Sequence, residues 1–183
     1  MEIFPQLTTE RLCLNALQVK DVPAIVTYAA DVRITQYTLN IPAPYAEKDA
    51  VYWLNMAQEG FKKGTHFIFA IRQQAQQDFM GGIGLTLEKR FNRAEIGYWL
   101  AVPFWNQGYI TEATKALIQF GFEQLHLNKI TSSHFEENPA SGKVLQKSGL
   151  QKEGVLKEHV FKKGRYYNLV VYGLTQQDFA KQP

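Results

Sequence analysis

Between Glu95 and Ala113 the chain reads EIGYWLAVPFWNQGYITEA, and its hydrophobic period changes there from that of a strand to that of a helix. Ile96, Tyr98 and Leu100 alternate with Glu95, Gly97 and Trp99, and the β-branched and aromatic content fits a pleated, buried strand. From Thr111 to Leu125 the residues Ala113, Ala116, Leu117, Phe120, Gly121 and Leu125 recur at helical intervals. Only the short connection Pro103-Phe104-Trp105-Asn106-Gln107-Gly108-Tyr109 separates the two. A strand that turns this quickly into a helix aims free backbone N–H groups and the positive end of a helix dipole at one point. That point suits a phosphate or pyrophosphate, and Gly108, lacking a Cβ, permits close approach to the backbone. A plain turn also accepts a glycine. Neither a P-loop nor a dinucleotide fingerprint is present to decide between the two.

The rest of the chain supplies an α+β order. Strands are predicted over residues 11–17, 67–72, 80–87, 94–100, 129–135, 155–161 and 166–174. The three central ones are joined by polar connections and read as an antiparallel meander. Gly81-Gly82-Ile83-Gly84 lies inside one of them, which points to a bulge or close packing rather than to a phosphate loop. Helices are predicted over residues 21–30, with Asp21 as N-cap, over 46–62 and 111–125, and over 139–148, where Gly149 is the stop. Residues 34–45, with Pro42 and Pro44, read as a loop. No repeat, linker or low-complexity tract interrupts the 183 residues, so one domain is expected.

Composition excludes several classes. With 45% hydrophobic and 20% charged residues, and no apolar run of membrane-spanning length, the chain reads as an ordinary globular protein. No leader pattern opens it, and a cytoplasmic location is expected. Cys13 has no partner cysteine and sits in a strand-like run, where a buried thiol is unremarkable. His66, His126, His134 and His159 are scattered without ligand spacing, so no metal site is expected, and no G-x-S-x-G nucleophile elbow occurs. The net charge of +3 suits an anionic ligand and falls short of a nucleic-acid footprint.

The run from Trp105 to Ala113, preceded by Glu95-Ile96-Gly97-Tyr98-Trp99-Leu100, resembles the acetyl-CoA-binding motif of the GNAT superfamily of N-acetyltransferases. It is most similar to the branch containing the ribosomal-protein N-acetyltransferases RimJ and RimL. Leu7-Thr8-Thr9-Glu10-Arg11-Leu12 extends the likeness toward the start. Asn138-Pro139-Ala140-Ser141 through Lys147-Ser148-Gly149-Leu150 extends it toward the end. The resemblance implies the GNAT fold: a mixed, mostly antiparallel seven-strand sheet flanked by about four helices and splayed centrally to admit CoA. It implies direct transfer of acetyl from acetyl-CoA to a primary amine in a ternary complex. The acceptor implied is a protein N-terminal α-amine, ribosomal or other. The alternatives are a small-molecule amine, or a CoA-binding module without catalysis. Membrane and nucleic acid are not expected as partners, and a homodimer is compatible with the family.

The same resemblance assigns candidate roles. It lays the thioester along Leu100 and Val102 and the pyrophosphate on the N–H groups of Gln107, Gly108, Tyr109, Ile110 and Thr111. It gives Asn138 a hold on pantetheine. Trp105 and Ile110 depart from the residues common in the family, but both leave the backbone donors in place. Glu95 corresponds to a general base; the alternative is a surface carboxylate paired with Arg93 or Lys89. Ser141 corresponds to the donor that protonates the leaving thiolate, because the position four residues on, where many relatives carry Tyr, is Leu145. The alternative for Ser141 is a helix-start serine bonded to nearby backbone. Lys143 and Lys147 are candidates for the CoA 3′-phosphate or plain solvated charges. Tyr37, Tyr45 and Trp53 are candidates for the acceptor pocket or for packing alone. Lys162, Lys163 and Arg165 read as a solvated hairpin tip, and Asn15 stands where the family commonly has Arg.

Overall fold

A run that is apolar at every position belongs to a strand covered on both faces, and Phe67–Ile71, inside the strand His66–Gln73, is such a run. In the computed structural model, which describes residues 3–182, this strand (β3) turns Phe69 and Ile71 toward one buried cluster and Ile68 and Ala70 toward another. The two clusters lie on opposite faces of one sheet. It is built from β1 (Leu7–Thr8), β2 (Leu12–Ala16), β3, β4 (Phe79–Glu88), β5 (Arg93–Leu100), β6 (Lys129–Phe135), β7 (Gln151–Lys162) and β8 (Arg165–Thr175). The spatial order is β1-β2-β3-β4-β5-β6-β8-β7, antiparallel throughout except for β5 against β6.

Six α-helices cover the faces: α1 (Val22–Ala29), α2 (Val32–Thr35), α3 (Glu47–Lys62), α4 (Tyr109–Glu123), α5 (Pro139–Lys147) and α6 (Gln176–Phe179). Helices α1 and α3 bury Val22, Ile25, Ala50, Leu54 and Ala57 on one face; α4 and α5 bury Ala113, Leu117, Ile118, Phe120 and Leu145 on the other. Each of the Val, Ile, Leu and Phe side chains among them contributes about 1.5–3 kcal/mol when taken from water.

The described residues thus hold eight strands and six α-helices, where the sequence reading gave seven and about four. The additions are β1, a two-residue strand pairing Leu7 with Leu14 and Thr8 with Cys13, and the single-turn helices α2 and α6. All three are shorter than the period that would reveal them. Helix α4 also begins at Tyr109, two residues before the expected start, because Gly108 already stands as its N-cap. The glycines of β4 serve packing: a Cβ on Gly82 would come within 2.5 Å of the Trp53 ring, and the register of β3 on β4 shifts at Ile71/Arg72.

Asp21 does occupy the N-cap position of α1, but its side chain makes no cap bond. Its two oxygens accept instead from Arg72 Nη1 (2.8 Å) and Nη2 (2.6 Å), while Arg72 Nε donates to Asn15 Oδ1 at 2.8 Å. Both charges are buried. Asn15 therefore has a definite task, orienting the guanidinium that ties β3 to the entry of α1. Beyond α2, the Lys162 ammonium donates to the carbonyls of Thr35 and Thr38. Burial, helped by neighbouring Lys163, holds its pKa below the ordinary lysine value. Lys162 is thus a latch between the β7–β8 turn and the segment after α2, not a solvated tip.

Candidate active site

Parallel strands β5 and β6 are in register only at Arg93/Lys129, Ala94/Ile130 and Glu95/Thr131. Beyond that the strands part, and the opening is closed at its floor by side chains: Thr131 Oγ1 donates to Ala94 O (3.3 Å) and Ser132 Oγ to Ile96 O (2.9 Å). On its other edge β5 pairs with β4, and Ala101 N donates to Met80 O at 2.8 Å. Antiparallel pairing alternates, so the odd-numbered residues of β5 bond to β4 and the even-numbered ones direct N–H and C=O into the cleft. Tyr98 N–H, Tyr98 C=O and Leu100 N–H are thereby aimed into the opening. The Leu100 carbonyl is taken, since Trp105 Nε1 donates to it at 2.7 Å. Val102 starts the single 3-10 turn, Val102–Phe104, that leads out of the strand.

The turn at the end of this cleft has two left-handed residues, Asn106 (φ 60°) and Gly108 (φ 81°). The first helical bond of α4 runs from Glu112 N to Gly108 O at 3.0 Å. The N–H groups of Gln107, Gly108, Tyr109, Ile110 and Thr111 consequently have no acceptor among the described residues and point outward around one helix N-terminus. Arg11 braces the turn. Its Nη1 donates to Gln107 O (3.0 Å), its Nε to Glu112 Oε2 (2.7 Å), and its guanidinium lies 4.4 Å from the Tyr109 ring centre. Thr9 Oγ1 and Arg11 N bond the other Glu112 oxygen at 2.6 and 2.9 Å. Burial alone would raise the Glu112 pKa, but these donors outweigh it and hold the carboxyl below its usual range. Beside the turn a depression of about 420 Å³ is lined by Glu10, Gly108, Thr111, Glu112, Lys115 and Lys147. Lys147 therefore stands at the turn, joined by Lys115, which sequence reading had not singled out; Lys143 is not among the lining residues.

On the opposite face of β5, Glu95 is exposed and accepts from Ser133 Oγ at 3.3 Å. It is not paired with Arg93 or Lys89, which bond Glu88 and the Lys63 carbonyl. A Cβ placed on Gly97 would meet nothing within 4 Å, so the surface next to Glu95 is open. Beyond it Trp99 packs against Trp53 (centroids 6.0 Å) and Phe79 (5.8 Å), and Tyr45 joins the same cluster. Burial, with Asp49 nearby, pushes the Tyr45 phenol up to about 12, leaving it a neutral hydrogen-bonding group. Tyr37 lies outside this cluster, in the segment that Lys162 latches.

The two arms of the cleft meet again at a hydrogen bond. Tyr98 Oη, reaching from β5, lies 2.8 Å from Ser141 Oγ and 3.3 Å from Ser141 O on α5. Ser141 is fixed in turn by its backbone N–H, which donates to Asn138 Oδ1 at 3.3 Å and makes Asn138 the N-cap of α5. The amide nitrogen of Asn138 has no acceptor among the described residues. The arrangement therefore places a free carboxylate on one face of β5, a hydroxyl pair on the other, and unpaired backbone between them, leading to a cluster of free N–H groups.

Residues 11–151 match the family described as Acetyltransferase (GNAT) domain. The chain is 32% identical to an uncharacterized N-acetyltransferase, p20, of Bacillus licheniformis, over 95% of this chain and 98% of that one. Among solved structures, one of RimL, a ribosomal L7/L12 α-N-protein acetyltransferase in complex with coenzyme A, superposes with a TM-score of 0.85 at 20% identity. It covers 95% of this chain and 98% of that one. The ribosomal-protein-S5-alanine acetyltransferase of Vibrio fischeri gives 0.83 at 18%, covering 98% and 100%. At these identities the structural likeness is one of fold, while the family match and the p20 relative carry the assignment. The chain belongs to the GNAT family of acetyl-CoA-dependent N-acetyltransferases.

Proposed function

We propose that this enzyme acetylates the N-terminal α-amine of a protein, by direct attack of the amine on acetyl-CoA within a ternary complex. The observation that carries the reading is the opposition across β5: Glu95 on the open aromatic face and Ser141 on the other, with unpaired Tyr98 and Leu100 backbone between. In this reading Glu95, directly or through water, takes the proton of the amine, and Ser141 hands one to the departing thiolate. The N–H groups from Gln107 to Thr111 hold the pyrophosphate, with Lys115 and Lys147 beside them, and Asn138 and Leu100 N–H hold pantetheine.

The choice of acceptor rests on charge. A polyamine or an aminoglycoside presents several cations, which call for several carboxylates. Among the residues placed at the site above, Glu95 is the carboxylate left for the acceptor: Asp49, beside Tyr45, is already bonded to Ala46 N at 2.8 Å, capping α3. A single carboxylate matches a single α-amine. Such an amine, with a pKa near 8, also gives up its proton about two units more readily than a lysine near 10.4. The likeness in fold to RimL and to the S5-alanine enzyme points the same way. A peptide with an N-terminal Ser or Ala and an internal Lys should be acetylated at the α-amine, as read by mass spectrometry. Modification confined to lysine, or turnover of small amines with no peptide product, overturns this acceptor.

Gly108→Val tests the phosphate turn. A β-branched residue at φ 81° is strained by about 1–2 kcal/mol, and its methyl groups cover the N–H cluster. CoA affinity should fall about tenfold or more, an energy of about 1.4 kcal/mol at least, while the fold survives with reduced stability. Unchanged affinity by isothermal titration, in a variant with native circular dichroism, removes the phosphates from this turn.

A further inference from the structure

A serine hydroxyl is a weak acid for the task given to Ser141. A thiol of ordinary acidity, about pKa 8.5, leaves as thiolate at neutral pH unless a proton meets it, and an aliphatic alcohol holds its own proton much more tightly than a phenol does. The structure places a phenol directly behind that alcohol. We infer that Tyr98 is the positioning residue of the leaving-group step: it orients the Ser141 hydroxyl toward the thioester sulfur and replaces the proton Ser141 gives up. The inference rests on the acetyl-transfer reading above and assigns a role to a residue outside it.

Three observations support it. Tyr98 is the only residue on its face of β5 with a polar tip: Ala94, Ile96 and Leu100, its neighbours there, are buried and apolar. That tip makes both of its contacts with Ser141, at Oγ (2.8 Å) and at the backbone carbonyl (3.3 Å). The carbonyl can only accept, so the phenol has one proton for two oxygens, and the shorter partner is Oγ. The stronger acid is the better donor, so the phenol donates to the serine, leaving the Ser141 proton free to turn toward the cleft. Burial pushes the Tyr98 phenol up to about 12, the Ser141 hydrogen bond opposing and Tyr172 reinforcing the shift, and the proton is fully in place at neutral pH. Asn138 locks the serine from its other side through the N-cap bond, so rotation of the hydroxyl is set by Tyr98.

The step balances as follows. The amine lone pair forms the C–N bond to the thioester carbonyl carbon, and the carbonyl π pair moves to oxygen. Collapse restores the carbonyl and breaks the C–S bond, whose electron pair goes to sulfur. Sulfur takes the Ser141 Oγ proton as Oγ takes the Tyr98 phenolic proton. The proton released by the amine leaves through Glu95 to water, and water returns one to Tyr98, so no external oxidant or reductant enters.

The experiment is a steady-state comparison of Tyr98→Phe, Ser141→Ala and the double variant, following thiol release from acetyl-CoA with a Ser- or Ala-terminated peptide. Phe keeps the ring and its packing. Tyr98→Phe should lower kcat on the order of tenfold or more, with the KM for acetyl-CoA and the melting temperature near wild type. The double variant should be no slower than Ser141→Ala, because the phenol acts only through the serine. Wild-type kcat in Tyr98→Phe overturns the inference, as do losses that multiply in the double variant, or a loss confined to KM. If the wild-type chain releases no thiol with any amine, the transfer reading itself falls and the inference with it. A wild-type chain that turns over beside an unimpaired Tyr98→Phe refutes the role of Tyr98 alone.

Discussion

Glu95→Gln is expected to lower kcat/KM by about 10²- to 10⁴-fold near pH 7 and to lose most of that penalty as the pH rises past the pKa of the acceptor amine. An α-amine with a pKa near 8 is about nine-tenths protonated at pH 7, so its lone pair must be released at each turnover. In the proposed mechanism Glu95 performs that release. At higher pH the free amine is already abundant and solvent base suffices, so the variant's profile should climb toward wild type rather than run parallel to it. The substitution is a clean one. Glu95 is exposed and holds a single long hydrogen bond, from Ser133 at 3.3 Å, so the stability change should stay within about 0.5 kcal/mol. Isosteric Gln keeps the shape and removes only the charge. Two profiles offset by a constant factor would mean that Glu95 does not take the proton, and the base would have to be sought elsewhere on the Trp99 face.

Glu95 is singled out by the family resemblance, while the elements around it are legible according to which features leave a local trace. The change of period between β5 and α4 is written in neighbouring residues, and so is the glycine that lets the backbone turn there at φ 81°. Helix α5 is equally legible, from Asn138 and Pro139 at its start to Gly149 at its end. Pairings across the fold leave no such trace. Arg11 and Glu112 stand 101 residues apart, and Tyr98 and Ser141 stand 43 apart. Both residues of each pair lay inside stretches already marked as family-like, yet no spacing rule joins them. Tyr98 did carry one hint, a hydroxyl on the otherwise apolar side of a strand, since a buried phenol seeks a partner. The Trp99 face of β5 was legible only as a supply of aromatics. Which of them gather is decided by Gly82, whose missing side chain seats the Trp53 ring. Tyr37 offers the same chemistry but is carried off by the segment that Lys162 holds.

The largest stability effect should come from a residue that sequence reading had placed correctly and employed wrongly. Asp21→Ala is expected to destabilise the protein by about 3–5 kcal/mol, because it leaves the Arg72 guanidinium buried with no counter-charge. Arg72 is 2% exposed. Its remaining side-chain partner is Asn15 Oδ1, which satisfies one N–H and no charge. An ordinary N-cap aspartate would cost only about 1 kcal/mol on replacement by Ala, so the size of the loss separates the two roles. Replacing both partners, Asp21→Leu with Arg72→Met, should recover most of the stability, since the pair's own attraction roughly offsets the desolvation of its two charges. Urea unfolding with an unchanged m-value is the measurement. A loss under 1 kcal/mol in Asp21→Ala would show that water reaches Arg72. The functional consequence follows from where the pair sits. It fixes the entry of α1, which packs with α3 in the cluster containing Trp53 and Trp99, whereas the turn before α4, the proposed phosphate site, is braced by Arg11 and Glu112 on the other side of the sheet. At temperatures where the variant is still folded, its KM for the acceptor should therefore rise while its affinity for CoA holds, and a loss of both together would mean that the two faces of the sheet do not loosen independently.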